Sequence, residues 1–166
     1  AGVEISSSAQ INVGSLYVSN KKMESEDFNN FHSYAAEDNF VLGGTTTDAA
    51  LMSLGNINAT NVTFDGGRIV IDTERLKNGD AKMRAEKINV RTTDAGQVVL
   101  GYDAYNEGEN KGTYDGKQKS AKELATVTAA NGSSDSLYGY MWVEDIEQLQ
   151  AVNTNLSGQY ALRNSI

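Results

Sequence analysis

The chain has 166 residues, with 22 Asp and Glu against 14 Lys and Arg and a formal net charge of -8. This length fits one domain or one piece of a longer elongated protein, and the acidic excess disfavours nucleic acid or an anionic membrane as the main partner. Because the chain has no Cys, disulfides, cysteine nucleophiles and thiolate metal sites are excluded together. No apolar run approaches the roughly 20 residues of a membrane-spanning helix, and the first residues lack the features of a signal peptide.

The amino-terminal part predicts short strands. Val3–Ile5 alternates between apolar and polar side chains, and Ala9–Ser19 does so over two short segments separated by a bend at Gly14. The whole chain has no Pro, which fits a chain committed to sheet because Pro cannot donate a hydrogen bond to a β-ladder. Lys21–Asn39 breaks this pattern, and the spacing of its large apolar side chains predicts a short helix over Glu24–Phe31.

Two features follow this predicted helix. His32 is the only His in the chain, and without nearby Cys, His or paired carboxylates it is expected to be a surface or turn residue. A catalytic base or a metal ligand would need convergent partners. Asn39–Leu42 predicts a strand that stops at Gly43 and Gly44.

The strongest strand signal lies in Asn61–Thr73. Two β-rich runs, Val62–Phe64 and Arg68–Ile71, flank a turn at Asp65–Gly67. A weak repeat follows, in which Gly67-Arg68-Ile69-Val70-Ile71 recurs as Gly96-Gln97-Val98-Val99-Leu100, and Asn61-Val62 recurs as Asn89-Val90. Repeats at such an offset typify units that must stack to bury their apolar faces. The pattern predicts layers of short strands with a row of aliphatic side chains inside.

Amide side chains recur in this pattern. Three Asn residues each precede a Val and are candidates for a ladder of stacked amides: Asn12, Asn61 and Asn89. The alternative is that Asn is simply common in turns.

Residues 102–136 differ in kind, because few of them could join a core. They predict a polar, acidic insertion, with a long hairpin as one form, between layers at 1–101 and a continuation of the layers at 137–166. The acidic side chains that could offer oxygen ligands to Ca²⁺ are Asp103, Glu107, Glu109 and Asp115. Their spacing matches neither an EF-hand nor a calcium-binding nonapeptide repeat, so no metal site is predicted.

Val143–Gly158 is the clearest helix. Asp145 is its predicted N-cap, and Gln148 completes a capping-box arrangement. The apolar residues Ile146, Leu149, Val152 and Leu156 lie within one broad face, and Gly158 is expected to end the helix. With strand-like Tyr160–Leu162 after it, the segment predicts a strand–helix–strand cover over a sheet.

Catalytic signatures are missing from the sequence. With one His and no Cys, little remains for a nucleophile–base pair, and the common nucleotide and hydrolase motifs are absent. A polysaccharide-cleaving enzyme would need acids and Arg converging in a groove. The residues that could supply them from neighbouring layers are Asp65, Asp72, Asp94, Arg68 and Arg91. The alternative, charges on a solvent-exposed face, is favoured, so the chain is predicted not to be an enzyme and to use no cofactor.

Three segments carry a family resemblance. Ala9–Ser19 resembles a segment in the secretion domain of filamentous-haemagglutinin-like exoproteins. Tyr140–Gln150, together with Asn155–Leu162, resembles a segment of large bacterial surface adhesins of the same kind, and Asn61–Asp72 resembles the body of these proteins. The two Asn-Pro motifs of the family are absent, since this chain has no Pro, so a member of the family would begin after them.

The resemblance implies a right-handed parallel β-helix. It also implies export across the outer membrane of a Gram-negative bacterium through a dedicated β-barrel transporter, which is two-partner secretion. The implied product is secreted or surface-bound, usually as an adhesin whose partner is a host or bacterial surface receptor, with a glycan as one candidate. The stem of a contact-dependent toxin carrier is an alternative that the residues do not separate from it.

The resulting prediction of fold class is all-β, a right-handed parallel β-helix (solenoid) with a polar insertion and a short helix near the C-terminus. Tyr suits both apolar and polar partners. The candidate ligand-contact residues are therefore the tyrosines in and beside the insertion, Tyr102, Tyr105, Tyr114 and Tyr138. The alternative is that they pack the insertion onto the body.

Overall fold

A computed structural model describes residues 2–27, 29, 45, 49–59, 61–77, 87–91, 98–120, 127–129, 137 and 139–166. Its strands, in chain order, are β1 (Val3–Ile5), β2 (Gln10–Asn12), β3 (Ser15–Ser19), β4 (Ala50–Ser53), β5 (Asn56–Asn58), β6 (Asn61–Asp65), β7 (Arg68–Asp72), β8 (Leu76–Lys77), β9 (Lys87–Arg91), β10 (Val98–Tyr102), β11 (Val127–Ala129), β12 (Gly139–Val143) and β13 (Tyr160–Leu162). Helix α1 spans Ile146–Ala151, and 3₁₀ helices span Thr73–Arg75 and Val152–Thr154.

The strands form three sheets in which every strand pairing is parallel. A six-stranded sheet has the order β1-β4-β7-β10-β12-β13, a four-stranded sheet has the order β11-β9-β6-β3, and a three-stranded sheet has the order β2-β5-β8. The predicted all-β class is therefore confirmed.

Successive strands enter the three sheets in rotation. Strands β1, β2 and β3 lie in the six-, three- and four-stranded sheets respectively, and β4 to β6 and β7 to β9 repeat that order. Parallel neighbours need a crossover connection, which is usually a helix. Here the crossover from β4 to β7 consists of β5 and β6, so strands serve as the connections between strands.

The core consists of apolar side chains aligned across these sheets. In the six-stranded sheet Leu51, Ile69 and Val98 are register partners, and Ile71 pairs with Leu100. All five are at most 2% exposed. The other two sheets add the aligned sets Val18, Phe64 and Val90, and Ile57 and Leu76. Each such side chain stabilises the fold by roughly 1.5–3 kcal/mol, so rows of aligned aliphatic side chains hold neighbouring strands together.

The stretch Asn61–Thr73 forms β6 and β7 on either side of a glycine pair, as predicted. The two strands lie in different sheets, so this turn is a corner and not a hairpin. Asp65 closes β6 with its side chain buried, and its carboxylate lies 3.0 Å from the Nζ of Lys21 and accepts a hydrogen bond from Tyr17. The buried charge at the corner is thus paired, as a buried charge must be.

The predicted repeat is right in one half and wrong in the other. Ile69–Ile71 pairs in register with Val98–Leu100, as the repeat predicts. Asn61 and Asn89 are not equivalent, because Asn89 lies opposite Thr63. The register of β6 with β9 instead follows the alignment of their apolar side chains.

The predicted amide ladder is also wrong. Asn12 lies in β2 of the three-stranded sheet, whereas Asn61 and Asn89 lie in the four-stranded sheet and out of register with each other. The amides that do align are Asn12 with Asn58 and Gln10 with Asn56.

Helix α1 begins as the sequence predicts. Asp145 is its N-cap, and the Oδ1 atom of Asp145 accepts a hydrogen bond from the backbone N–H of Gln148 at 2.8 Å. The predicted strand–helix–strand order is confirmed by β12, α1 and β13, and the two strands are parallel neighbours. The α-helix is shorter than predicted, since it ends at Ala151 and is followed by a 3₁₀ turn.

Most of the predicted apolar face is exposed, and of its four residues only Val152 packs against the core. Ile146 is 61% exposed and Leu149 is 48% exposed, while Gln148 and Ala151 are buried. The reason is that Gln148 turns inward, where its Oε1 accepts from the backbone N–H of Glu144 at 2.9 Å. The aliphatic side chains on the other side of the helix consequently face solvent.

The segment predicted as an insertion contains two described pieces, 102–120 and 127–129. Tyr105 and Tyr114 form an antiparallel bridge, and the N–H of Asn106 donates to the carbonyl of Thr113 at 2.9 Å, so the first piece folds back as a hairpin-like loop. Val127–Ala129 is β11, which pairs with β9.

Some predicted features lie outside the described residues. Ser25–Asp27 is helical, which agrees with the start of the helix predicted over Glu24–Phe31, but Phe28 and Phe31 are outside. His32 and the predicted strand Asn39–Leu42 are outside as well. In the part of the chain that is described, no helix has the length and apolar character needed to cross a bilayer.

Candidate functional site

A cleft with a volume of about 470 Å³ opens beside the six-stranded sheet. Its walls come from the end of β12, the loop after β10, the 3₁₀ turn after β7, helix α1 and the residue that follows β13. The residues that line it are Arg75, Asp103, Ala104, Tyr105, Glu107, Trp142, Glu144, Gln148 and Arg163. The volume falls within the range of small-molecule sites, about 300–1,000 Å³.

Trp142 is the largest side chain of the cleft and is only 2% exposed. Its indole lies over Gly101 of β10, where a Cβ atom would come within 1.8 Å of the Cζ2 atom of Trp142. A Gly inside a strand often marks such a close approach. The indole is also approached by Arg163, whose guanidinium carbon lies 5.9 Å from the ring centroid, within the range of a cation–π contact.

Arg163 joins the ends of four neighbouring strands. Its guanidinium makes short ion pairs with Asp72 of β7 and with Glu144 after β12, and its Nη1 atom lies 3.6 Å from Asp103 after β10. Arg163 itself follows β13, and β7, β10, β12 and β13 are adjacent in the sheet. One guanidinium, on a side chain that is 11% exposed, therefore fixes the wall of the cleft across four strands.

Asp72 lies behind the cleft and is fully buried. It accepts a hydrogen bond from the backbone N–H of Glu74 at 3.1 Å and faces the Nε atom of Arg75 at 3.7 Å. Burial raises the pKa of Asp72 above its ordinary value of 3.8, because the loss of hydration outweighs the opposing attraction of Arg163.

Two of the predicted contact tyrosines pack the loop onto the sheet. Tyr102 is fully buried at the end of β10, and its hydroxyl accepts from the backbone N–H of Lys119 at 3.2 Å. Tyr114 is 5% exposed, and its hydroxyl donates to the carbonyl of Trp142 at 2.9 Å. Burial raises the pKa of Tyr114 far above its ordinary value of 10.0. The packing role weighed for these residues therefore fits their positions.

Tyr105 has a different position, because it is half-buried and lines the cleft. Its hydroxyl donates to the Oε1 atom of Glu147 at 2.8 Å, and its ring packs edge-on against Tyr114 with centroids 5.6 Å apart. Loss of hydration and the neighbouring carboxylate of Glu147 raise the pKa of Tyr105. Tyr138 lies outside the described residues.

Of the charged residues considered for glycan cleavage, those that the structure describes are divided between two sheets. Asp65 and Arg91 are register partners on β6 and β9, but Arg68 lies on β7 in a different sheet. Asp72 is buried beneath Arg163, as described above, and Asp94 lies outside the described residues. Among the residues that the structure describes, this set shows no convergent acid–base arrangement of the kind that such an enzyme requires.

The acidic residues considered for Ca²⁺ were Asp103, Glu107, Glu109 and Asp115. Among the residues that the structure describes, no three carboxylate or imidazole side chains come together as metal ligands. These four acids consequently do not converge on one point there.

Comparison with protein-family models, with curated proteins and with solved structures finds no match to this chain.

Most residues that build the cleft were not singled out as site residues in the sequence. Arg75, Trp142, Glu144 and Arg163 come from separate segments, and no local spacing connects them. Two signals were nonetheless available. Trp142 is the only Trp of the chain, and Gly101 interrupts an otherwise apolar strand, which indicates that a large group approaches its backbone.

Proposed function

We propose that the chain is a structural and binding segment of a secreted bacterial surface adhesin, folded as a right-handed parallel β-helix. The observation that carries the proposal is the rotation of successive strands through three parallel sheets. In a three-sided β-helix each turn adds one strand to every sheet, which is the order of β1 to β9. The right-handed form is proposed because crossovers between parallel strands are right-handed in about 98% of cases.

The connections between layers support a presenting role. β6 and β7 are joined by a glycine pair, whereas a long loop that carries Tyr105 leaves the sheet after β10. A stack of this type tolerates insertions at its corners because each layer contacts only its neighbours. The cleft is built where this loop returns to the sheet, so the body acts as a scaffold and its flank offers the binding surface.

The family resemblance supports export by two-partner secretion. The segments that carry it are strands of the stack: Ala9–Ser19 supplies β2 and β3, Asn61–Asp72 supplies β6 and β7, and Tyr140–Leu162 supplies β12, α1 and β13. The absence of Cys also suits a chain that must cross a pore before it folds, since no disulfide can form early. The proposed location is the cell surface or the medium, and no catalytic role is proposed.

Surface display tests this function. Residues 1–166 are inserted between the export domain of a two-partner substrate and an epitope tag, and the fusion is expressed with its transporter in a Gram-negative host. We expect the tag to be accessible on intact cells, the segment to resist protease, and the cells to adhere to epithelial or bacterial cell layers.

Two controls separate display from adhesion. A fusion without the segment should be displayed but should not adhere. A fusion carrying Leu100→Asp should lose protease resistance, because Leu100 is fully buried and an unpaired buried charge is strongly destabilising. Cells that display the intact segment yet adhere no better than cells with the empty fusion would contradict the proposal.

A further inference from the structure

The cleft contains hydrogen-bond donors that the fold leaves unused. Gln148 is 8% exposed, and its Oε1 accepts from the backbone N–H of Glu144 at 2.9 Å and lies 3.5 Å from the hydroxyl of Tyr114, which donates its proton to the carbonyl of Trp142. Its Nε2 atom makes no hydrogen bond within the described residues, although Gln148 lines the cleft. The buried Nε1–H of Trp142 lies close to Asp72 and acts to lower the pKa of that carboxyl, so it is not a donor for a ligand.

Arg75 adds further donors at the rim. Its side chain is 42% exposed, and its ion pair with Asp72 at 3.7 Å involves only the Nε atom. A guanidinium has five N–H groups, and most of those of Arg75 have no partner among the described residues, so they can reach a ligand. Arg163 differs, because its guanidinium is already held by Asp72 and Glu144.

Acceptors stand beside these donors. Asp103 is 60% exposed and only 3.6 Å from Arg163, and Glu107 is exposed and makes no ion pair within the described part of the chain. The half-buried ring of Tyr105 supplies an apolar surface between them and α1. The cleft therefore offers carboxylate acceptors, guanidinium and amide donors, and one aromatic ring.

This combination of carboxylates, guanidinium and amide groups favours a neutral ligand over an anion or a cation. An anion would be attracted by Arg75 but repelled by Asp103 and Glu107. A cation would use these acids alone and would leave the donors of Arg75 and Gln148 without a partner. A ligand whose hydroxyl groups both donate and accept can use the donors and the acceptors together. It can also place a C–H face on the ring of Tyr105.

We propose that this cleft binds a neutral saccharide unit, with hydroxyl groups held by Arg75, Asp103, Glu107 and the Nε2 of Gln148, and with one sugar face against Tyr105. The inference rests on the proposed adhesin function and names the ligand class of its binding surface. A cleft of about 470 Å³ has the size of known small-ligand sites.

Titration calorimetry and saturation-transfer NMR on the purified chain test the proposal. The probes are four neutral oligosaccharides (maltotriose, cellotriose, mannotriose and N-acetyllactosamine), one anionic oligosaccharide (sialyllactose) and one amine (lysine). We expect at least one neutral probe to bind and the two charged probes not to bind.

A matched pair of variants locates the binding. Glu107→Gln should weaken binding of the neutral probe about tenfold, the loss typical of one charge-assisted hydrogen bond. Glu109→Gln changes an exposed carboxyl in the same loop that does not line the cleft, so its affinity should equal that of the wild type. Circular dichroism confirms that both variants are folded.

Three results would overturn the inference: binding of sialyllactose or lysine alone, no binding of any neutral probe, or equal affinities for the Glu107→Gln and Glu109→Gln variants. Because purified protein is used, none of these depends on export. A failure of surface display would count against the proposed function while leaving saccharide binding in solution measurable.

Discussion

Gly101 and Trp142 fit each other on the outer side of the six-stranded sheet. Trp142 belongs to β12 and covers the backbone of β10 at Gly101, where no room remains for a side chain. The contact closes the floor of the cleft and fixes the indole against a strand instead of in solvent. Packing therefore requires Gly at position 101, although Gly inside a strand usually weakens the strand.

We expect Gly101→Ala to lower the free energy of unfolding by about 1–3 kcal/mol, because the added methyl group would overlap the indole. The control is Gly108→Ala, where a Cβ atom meets nothing within 4 Å and where the change should fall within about 0.5 kcal/mol. Urea unfolding followed by the fluorescence of the single Trp reports both values. Equal stabilities of the two variants would show that Trp142 does not cover this backbone.

The buried carboxyl of Asp72 makes the stability of the fold depend on pH. The raised pKa of the buried carboxyl means that folded Asp72 keeps its proton to a higher pH than unfolded Asp72 does. Its contribution to the free energy of unfolding is therefore complete below the unfolded pKa of 3.8 and is lost as the pH rises through the folded pKa.

Replacing Asp72 by Asn removes this titration. We expect the free energy of unfolding of the variant, minus that of the wild type, to increase from about pH 4 to about pH 7. Denaturant titrations at a series of pH values measure the difference. A difference that stays constant or decreases over this range would mean that Arg163 overcomes the cost of burying the carboxylate.

At the scale of elements, the loop after β10 forms one wall of the cleft beside the six-stranded sheet. It is attached by Tyr114, whose hydroxyl reaches the backbone of β12 and whose ring touches Tyr105 and Tyr160. Tyr105 instead bonds to the exposed Glu147 of α1. Tyr105 and Tyr114 are partners in one β-bridge, but only Tyr114 is buried in the core.

This difference predicts unequal effects of removing the two hydroxyls. Tyr114→Phe should cost about 1 kcal/mol, because it leaves the buried carbonyl of Trp142 without this donor. Tyr105→Phe should cost less than about 0.5 kcal/mol, because Glu147 can be hydrated instead. Thermal unfolding of the two variants compares them directly. A larger loss for Tyr105→Phe than for Tyr114→Phe would place the anchor of the loop at α1.

Local chemistry in the sequence predicts the presence of bends, corners and helix caps better than it predicts which side of an element is buried. The bend at Gly14, the corner after Asp65 and the cap at Asp145 each depend on a few adjacent residues, and each is found in the structure. The burial of Gln148 in place of Leu149 depends on partners such as Tyr114, which lies far away in the chain. A helical pattern alone cannot show which side of a six-residue helix meets the sheet.

At the scale of the whole molecule, the sheets are held by register between strands that are distant in sequence. Aliphatic side chains in β4, β7 and β10 stand in line, and the connections between these strands have unequal lengths. The sequence repeat was found where that alignment is regular, at Ile69–Ile71 and Val98–Leu100. It was wrong at Asn89, where an apolar alignment shifted by two residues decides the register. The cleft was not predicted for the same reason, because Arg75, Trp142 and Arg163 are distant in sequence and are brought together by the pairing of strands in the six-stranded sheet.

The central claim is that β7 lies between β4 and β10 in parallel register, although other strands separate the three along the chain. Met52, Val70 and Val99 are register partners on these strands and are half-buried. Neighbouring strands lie about 4.7–4.9 Å apart, which suits a disulfide between facing residues. The chain has no Cys, so any disulfide formed in a variant is the designed one.

Disulfide mapping by mass spectrometry after mild oxidation tests this claim most directly. We predict that the variants Met52→Cys with Val70→Cys, and Val70→Cys with Val99→Cys, each form an intramolecular disulfide in the folded protein. The control, Arg68→Cys with Val99→Cys, is two residues out of register and should stay reduced, because its Cα atoms lie beyond disulfide reach. Failure of either in-register pair, or equal cross-linking of the control pair, would contradict the stacked parallel layers on which the proposed function depends.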